Sequence, residues 1–507
     1  MSVAILRLHA SDGIAVALRD LAPGEAFSAN LAARDPIPRG HKVALVPFAA
    51  GDPVTKFGTF IGIASSPIAA GGHVHSHNLA FRPSRADRDR PSARRNATEV
   101  LESSGSTTFQ GYRREDGRVG TRNVLLVLAT VNCSATVAKR IAEQFRREVD
   151  HAATPSIDGV VALTHQHGCS FRADGPGMAI LRRTLGGYAR HPNVAGTLVV
   201  GLGCEDNQVD EFLAAAGLAP SERLTTRVIQ QEGGTAATVA AGVAALKSML
   251  PRAAAAVRTT VPVSHLTVGL QCGGSDGFSA VSANPALGRA ADRLVAEGGT
   301  VILSETPEIY GAEQLLIERA ANEPVAQKLR DLLAWWEDNA RRDDGTLDNN
   351  PSPGNKQGGI TTILEKSLGA VSKGGSSPLN AVYAYAEPIG TPGLVFMDSP
   401  GYDPVSATGQ VAAGANLICF TTGRGSCFGC APVPSIKIAT HSGLFRRMAG
   451  DMDLDAGLIL DGTASHDAVG DAIFARMLAV ASGTRTASEA LGYGEEEFIP
   501  WAQGLTY

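Results

Sequence analysis

From Gly111 onward the chain repeats one pattern: a short, continuous, β-branched apolar run, a turn rich in glycine and polar residues, then an amphipathic stretch. The runs include NVLLVLA (Asn123–Ala129), GVVALT (Gly159–Thr164), GTLVVG (Gly196–Gly201), HLTVGL (His265–Leu270), TVILSE (Thr300–Glu305), GLVFMD (Gly393–Asp398) and NLICFT (Asn416–Thr421). Strands of this kind, alternating with helices, belong in parallel sheets covered on both faces. After the first run, SATVAKRIAEQFRREV sets Val137, Ile141, Phe145 and Val149 four apart, which predicts a helix opened by Ser134. Further helices are expected after Pro285, within Ala312–Ala340 and over Val405–Gly414. The pattern constrains the body to an α/β architecture of βαβ units.

The first 80 residues read differently. SVAILRLH, GIAVALRDL, KVALVPF and VTKFGTFIGIA are strands broken by turns, with no helical period, so an all-β module is expected. The basic run Arg82–Asn96 carries prolines, serines and aspartates and reads as a solvated linker. A chain of 507 residues exceeds one core. The expected division is a β module over 1–81, a linker over 82–110, and an α/β domain over 111–258. A second α/β domain with a helical insert covers 259–385, and a C-terminal α/β domain covers 386–507. A net charge of −5 gives no case for nucleic acid or membrane binding, and no apolar run reaches a membrane span. The start has no basic leader, so no signal peptide is expected. Seven cysteines, an odd number, suit a reducing cytoplasm as free thiols or metal ligands.

Chemistry concentrates in a few places. In GGHVHSHNLAF, His73, His75 and His77 alternate, which on a strand points them to one face. His73 and His75 are candidate metal ligands, against the alternative of a solvated strand face; His77 is too far to join on a straight strand. Cys133, Cys169, Cys204 and Cys272 each follow an expected strand, at the edge where open sheets bind ligands, and are expected in one cleft, with Cys419 in the core. LSETPEIYGAE sets Glu305, Glu308 and Glu313 at a strand end, and NPSPGNKQGG carries Asn355 and Lys356. CGGSDGFS carries Ser275 and Asp276. Arg424, between two glycines in TTGRGSCFGC, suits a carboxylate. The glycine pattern Gly423–Gly429 is one residue too long for a dinucleotide fingerprint, and Cys427 and Cys430 lack the second pair of a structural zinc site.

GYRREDGRVGTRN, GLGCEDNQ, CGGSDGFSAVSANPALGR, NPSPGNKQGG, and TTGRG followed by PSIKIAT resemble, in order, blocks of the altronate dehydratase family of sugar-acid hydro-lyases. The resemblance spans nearly the whole chain. The first 80 residues resemble the SAF (β-clip) module that begins these proteins. In the related sulfolactate sulfo-lyases the equivalent parts are separate chains, which supports a boundary in the Arg-rich linker. The resemblance implies an N-terminal SAF-like all-β module followed by Rossmann-like parallel-sheet βαβ units. HVHSHN resembles a block of the altronate members that the galactarate members lack, which favours an aldonate over an aldarate. Two departures are His167, where an aromatic is common, and the Cys427/Cys430 pair, where relatives carry other residues.

The implied reaction removes water from an altronate-like aldonate to give a 2-keto-3-deoxy acid. It implies a divalent metal, Fe2+ first and Mn2+ second, on His73 and His75. Lys356 or His165 is the expected base, Glu305 the acid and Arg424 the carboxylate clamp. Asn355, Ser275, Asp276, Cys272 and Cys169 are the expected substrate contacts. The expected partner is a small-molecule sugar acid, with no nucleic acid and no membrane, and the protein is expected as a cytoplasmic homo-oligomer. The alternatives are a galactarate-type aldarate dehydratase and, from another class, an iron–sulfur oxidoreductase built on the four strand-end cysteines.

Overall fold

The computed structural model of the protein describes residues 3–81, 107–150 and 153–503; the basic run Arg82–Asn96 lies outside them. Besides a two-stranded pair, Ala26–Ser28 with Leu31–Ala32, the N-terminal module contains two larger antiparallel sheets. One orders Ile5–Leu6, Ile14–Ala17, Lys42–Ala44 and His73–Val74; the other orders Pro53–Lys56, Thr59–Ala64 and Leu79–Ala80. Ile14, Val54, Ile61, Ile68, Val74 and Leu79 share one small core. The alternating histidines do not form a straight strand. Pairing stops at Val74, and a turn follows in which the His75 N–H donates to Asn78 Oδ1 (2.9 Å) while the Leu79 N–H returns to the His75 carbonyl (2.9 Å). The turn brings the His73 and His77 rings to 5.4 Å between centroids.

The first part of the body is a parallel sheet ordered Gly159–Leu163, Val124–Ala129, Val194–Gly201, Leu224–Val228. Helix Ala135–Glu148 buries Val137, Ile141 and Phe145 against it, as the four-residue period requires. Ser134 stands at the helix start but does not cap it. Its hydroxyl donates to the carbonyls of Val131 (2.9 Å) and Val200 (2.7 Å), fastening the turn to the neighbouring strand.

The remainder is one seven-stranded parallel sheet, where two domains divided at 385/386 were expected. Its order is Leu379–Tyr383, Gly393–Met397, Thr300–Ser304, Thr267–Cys272, Leu417–Thr422, Ser435–Ala439, Leu454–Asp455. The strand Thr267–Cys272 lies between strands from both expected domains, so neither has a sheet of its own. Strand order reverses at this point, which opens a crevice at the carboxyl ends of the strands. The expected linker also ends earlier than residue 110: Thr108–Arg113 is a strand, paired with Thr259–Pro262 where the two sheets meet in sequence. No helix among the described residues is long and apolar enough to cross a membrane.

The β module docks on the buried helix Ile363–Ser372 and the loop before it. Lys42 Nζ reaches Glu365 Oε2 at 2.9 Å and the Gly359 carbonyl at 2.6 Å, and Lys56 Nζ reaches Glu365 Oε1 at 2.7 Å. Burial alone would raise the Glu365 carboxyl, but the two ammonium groups overcome it and hold it well below the usual carboxylate range. Burial also draws Lys42 down to about 8. Backbones meet closely beside these charges: a Cβ on Gly277 would lie 2.0 Å from the Gly40 oxygen. Glu365→Ala would leave two buried lysines without their anion, so it should cost about 3–5 kcal/mol in urea denaturation. A cost below about 1 kcal/mol would show that the pairs do not hold the docking.

Candidate active site

At the reversal of strand order lies an open cavity of about 650 Å³. Cys272–Gly274, Glu308, Tyr402–Asp403 and Arg424 reach it from four neighbouring strand ends, and Asn350, Asn355 and Lys366 complete its wall. Two contacts fold the Arg424 loop over the strand end: the N–H groups of Gly423 (3.1 Å) and Arg424 (2.8 Å) both donate to the Gly274 carbonyl. Arg424 is exposed, and its Nη2 donates to Gln357 Oε1 at 2.8 Å.

Glu305 closes the strand Thr300–Ser304 in a left-handed conformation, with φ +73°. That is strained for a residue with a Cβ, and its N–H is held by Ser399 Oγ at 3.0 Å. The turn that follows carries Glu308 back beneath the cavity. There Lys366 Nζ pairs with Glu308 Oε1 at 2.6 Å and donates to Asn350 Oδ1 at 2.9 Å. Lys373 Nζ stands 3.0 Å from Cys272 Sγ and 3.8 Å from Glu305 Oε2.

These groups set one another's charge. Burial, reinforced by Glu308 and Asp403, raises Glu305 well above an ordinary carboxyl. For Glu308 burial acts in the same direction, but Lys366 and Lys373 outweigh it and the group is lowered, so the proton affinities of the two carboxyls are driven apart. Burial pushes Asp403 up to about 6, with Glu308 adding to the shift. Burial pushes the Cys272 thiol up to about 11 against the pull of Lys373. Both lysines rise despite burial, because the anions around them dominate.

The ligand atoms of Cys272, Glu305 and Glu308 lie within 4.8 Å of one another, a set suited to a metal ion. Glu305 Oε2 is buried without a hydrogen bond, which a cation would satisfy. Charge also fits. With Glu305 and Cys272 protonated, Glu308 and Asp403 balance Lys366 and Lys373. With both protons lost, a divalent ion restores the same balance.

The histidines fit an ion less well. His41 Nε2 donates to the Gln357 carbonyl at 3.0 Å, so its Nδ1 accepts from His73 Nε2, also at 3.0 Å. His75 Nε2 donates to the Lys356 carbonyl at 2.8 Å, and its Nδ1 meets Ser76 Oγ at 2.9 Å. The nitrogens that converge belong to His41 and His73, not to His73 and His75. Burial, with the neighbouring imidazoles adding to it, lowers His73 to about 3, and burial lowers His75 to about 4. The network pins the 356–357 backbone, from which Gln357 reaches Arg424, and so ties the module to the cavity rim.

The sequence-derived site divides. Glu305, Cys272, Arg424 and Asn355 are at the cavity or in the cluster beside it. Asn355 is committed to structure there, donating to the Ser275 carbonyl (2.9 Å) and accepting from the Ser352 N–H (3.0 Å). Lys356 does not line the cavity; its carbonyl serves His75. Ser275 and Asp276 lie behind the wall, where Asp276 accepts from the Phe278 N–H (3.1 Å), Ser279 Oγ (3.1 Å) and Thr440 Oγ1 (3.2 Å). His165 is on the other sheet, with Nε2 donating to the Ala129 carbonyl (3.0 Å) and Nδ1 accepting from the His167 N–H (3.2 Å), so neither nitrogen is available as a base. Cys169 is on that sheet too, as are Cys133 and Cys204, so the four strand-end cysteines do not share a cleft; Cys419 is buried in the core. Sequence reasoning missed Lys366, Lys373 and Asp403, and gave Glu308 no role. The signal for the first two is charge on the otherwise apolar stretch ILEKSLGAVSK, with lysines two helical turns apart.

Comparison with known proteins agrees with this architecture. Residues 3–82 match the altronate/galactarate dehydratase SAF domain, 111–254 the D-galactarate dehydratase/altronate hydrolase second domain, and 263–506 the D-galactarate/altronate dehydratase C-terminal domain. The chain is 38% identical over 484 residues to an altronate dehydratase of Bacillus subtilis (strain 168), covering 94% of this chain and 95% of the relative. It is 38% identical over 493 residues to an altronate dehydratase of Escherichia coli (strain K12), covering 97% of each. It is 35% identical over 488 residues to the galactarate dehydratase (L-threo-forming) of the same organism, covering 95% of this chain and 93% of the relative. The chain belongs to the altronate/galactarate dehydratase family. It is a sugar-acid dehydratase, a hydro-lyase, and that displaces the oxidoreductase alternative as the enzyme class.

The half-buried histidines His73 and His75 make stability fall with acid. Their folded pKa values lie below the ordinary 6.5, so the unfolded chain takes up protons first as the pH drops. The melting temperature should therefore decline already between about pH 6.5 and 5, above the range of ordinary carboxylates, and His73→Gln should reduce that slope. A melting temperature flat over this window would contradict the neutral network.

Proposed function

We propose that this dehydratase acts on an altronate-like aldonate and releases a 2-keto-3-deoxy acid. The observation that carries this reading is the distribution of charge around the cavity. Arg424 is the one lining cation whose guanidinium is exposed; Lys366, the other, is committed to Glu308. One exposed guanidinium, steadied by Gln357, suits a substrate with one carboxylate, whereas an aldarate has two. The altronate dehydratases named above support the same choice, at slightly higher identity than the galactarate enzyme.

In this reading Arg424 orients the substrate carboxylate toward the Gly273–Gly274 turn. Asp403, raised to about 6 and ionised near neutral pH, removes the proton beside the carboxylate. Lys366 faces the charge that then develops on the enediolate. In the protonated cluster the Glu305–Glu308 pair supplies the proton with which the 3-hydroxyl leaves as water; Lys356 and His165 are not needed. A divalent ion, Fe2+ or Mn2+, is proposed on Cys272, Glu305 and Glu308 instead of on His73 and His75; when bound it would take the place of that proton and supply Lewis-acid assistance to the leaving hydroxyl and the enediolate.

The test is incubation of the purified, reduced protein with ferrous ion and a panel of aldonates and aldarates, reading 2-keto-3-deoxy acid. Altronate or a close aldonate should give the highest kcat/KM. Asp403→Asn should lower kcat by about 10²–10⁴-fold with the melting temperature little changed. Turnover of galactarate alone would contradict the aldonate choice, and an undiminished Asp403→Asn variant would remove the base.

A further inference from the structure

Three thiols stand exposed on one edge of the four-stranded sheet, apart from the cavity. Cys133 follows strand Val124–Ala129, Cys169 follows Gly159–Leu163 and Cys204 follows Val194–Gly201. These strands are parallel neighbours, with Val124–Ala129 in the middle. Adjacent strands lie about 4.8 Å apart, so the three loops leave the sheet side by side.

The loops are locked to one another. The Asn132 N–H donates to the His167 carbonyl at 3.0 Å, and the Asn207 N–H donates to the Gly168 carbonyl at 2.9 Å. Asn207 Nδ2 reaches the Thr130 carbonyl at 3.0 Å. The glycines just before two of the cysteines are in conformations that side chains avoid: Gly168 at φ +101° and Gly203 at φ +126°. A Cβ at Gly168 would lie 2.4 Å from the Thr130 oxygen. Ser170, just after Cys169, has φ +54°. Strain of this kind persists where surroundings over-determine it, and it gathers at ligand sites. The edge thus holds three thiols in fixed, accessible positions, which a folded surface ordinarily avoids.

The spacing excludes a single shared ion. Among the described residues, Cys272, Glu305 and Glu308 form the group of three ligating side chains within 4.8 Å of one another; the three edge thiols do not. One tetrahedral ion at a metal–sulfur distance of about 2.3 Å would need sulfurs roughly 3.8 Å apart. An iron–sulfur cube places each cysteine on a different iron and so spreads them wider. We propose that Cys133, Cys169 and Cys204 hold a four-iron, four-sulfide cluster, leaving the fourth iron without a cysteine ligand. Each thiol gives up its proton on ligation; in its 2+ state the cluster holds two ferrous and two ferric irons with four sulfides, so it assembles from both oxidation states of iron and no protein group is oxidised or reduced. This site is independent of the cavity reading, because Cys272 ends a strand of the other sheet and is buried beside Lys373.

The test uses the full chain, purified anaerobically and reconstituted with equal amounts of ferrous and ferric iron and with inorganic sulfide. The expected product absorbs near ~400 nm and carries about four labile sulfides per chain. Cys133→Ser, Cys169→Ser and Cys204→Ser should each lose the absorption and sulfide with an unchanged melting temperature, while Cys272→Ser and Cys427→Ser retain them. In the unsubstituted chain, reconstitution should shield the three edge thiols from iodoacetamide but leave Cys427 open. Absence of bound sulfide, or absorption that survives Cys169→Ser with Cys204→Ser, overturns the proposal. Iron bound without sulfide and lost only in Cys272→Ser also overturns it, while leaving the cavity reading intact.

Discussion

Burying charge only in balanced sets is the constraint on which the rest of this structure depends. The helix Ile363–Ser372 and its following residue carry that constraint in two directions. Glu365 turns toward the β module and takes Lys42 and Lys56. Lys366 and Lys373 turn toward the cavity and take Glu308, Glu305 and Cys272. An unpaired charge at any of these positions would cost several kcal/mol, so module docking and site geometry are fixed by one short element. The adjoining loop adds a second link, since the 356–357 backbone receives the module's imidazoles while Gln357 holds Arg424.

The same constraint shapes the chemistry. Elimination of water from a sugar acid needs a base for a weakly acidic proton, a proton source for the leaving hydroxyl, and stabilisation of the charge between the two events. Crowding carboxyl groups at the reversal of strand order splits their proton affinities, with Glu305 raised and Glu308 lowered. The lysines keep the cluster neutral, and Gly273 and Gly274 leave room for substrate at the cavity floor.

The sequence made the local elements legible because short β-branched runs and a four-residue apolar period leave little choice of conformation. NVLLVLA and the helix after it are examples. Sheet membership was less legible. The strand Thr267–Cys272 pairs with a strand some thirty residues later and with another about 150 residues later, and no local pattern records the second partner. For the same reason four cysteines have alike local settings although one of them, Cys272, ends a strand of a different sheet. The histidine block misled in another way. Alternation suggests a strand, but Asn78 closes a turn that sends the His75 ring onto the backbone carbonyl of a residue almost three hundred positions away, while His73 meets His41. Lys366 and Lys373 are not legible as site residues because charge on a helix ordinarily marks the solvated face, whereas here both are buried.

The central claim is that the Cys272–Glu305–Glu308 cluster has two neutral states, one holding two protons and one holding a divalent cation. Calorimetric titration of the metal-free protein with Mn2+, repeated in buffers of different ionisation enthalpy, counts the protons released per ion. About two protons per ion are expected near neutral pH, falling to nearly none in Glu305→Gln with Cys272→Ser. Binding that releases no protons in the parent chain would place the ion elsewhere, on ligands such as the already neutral imidazoles, and would contradict the claim.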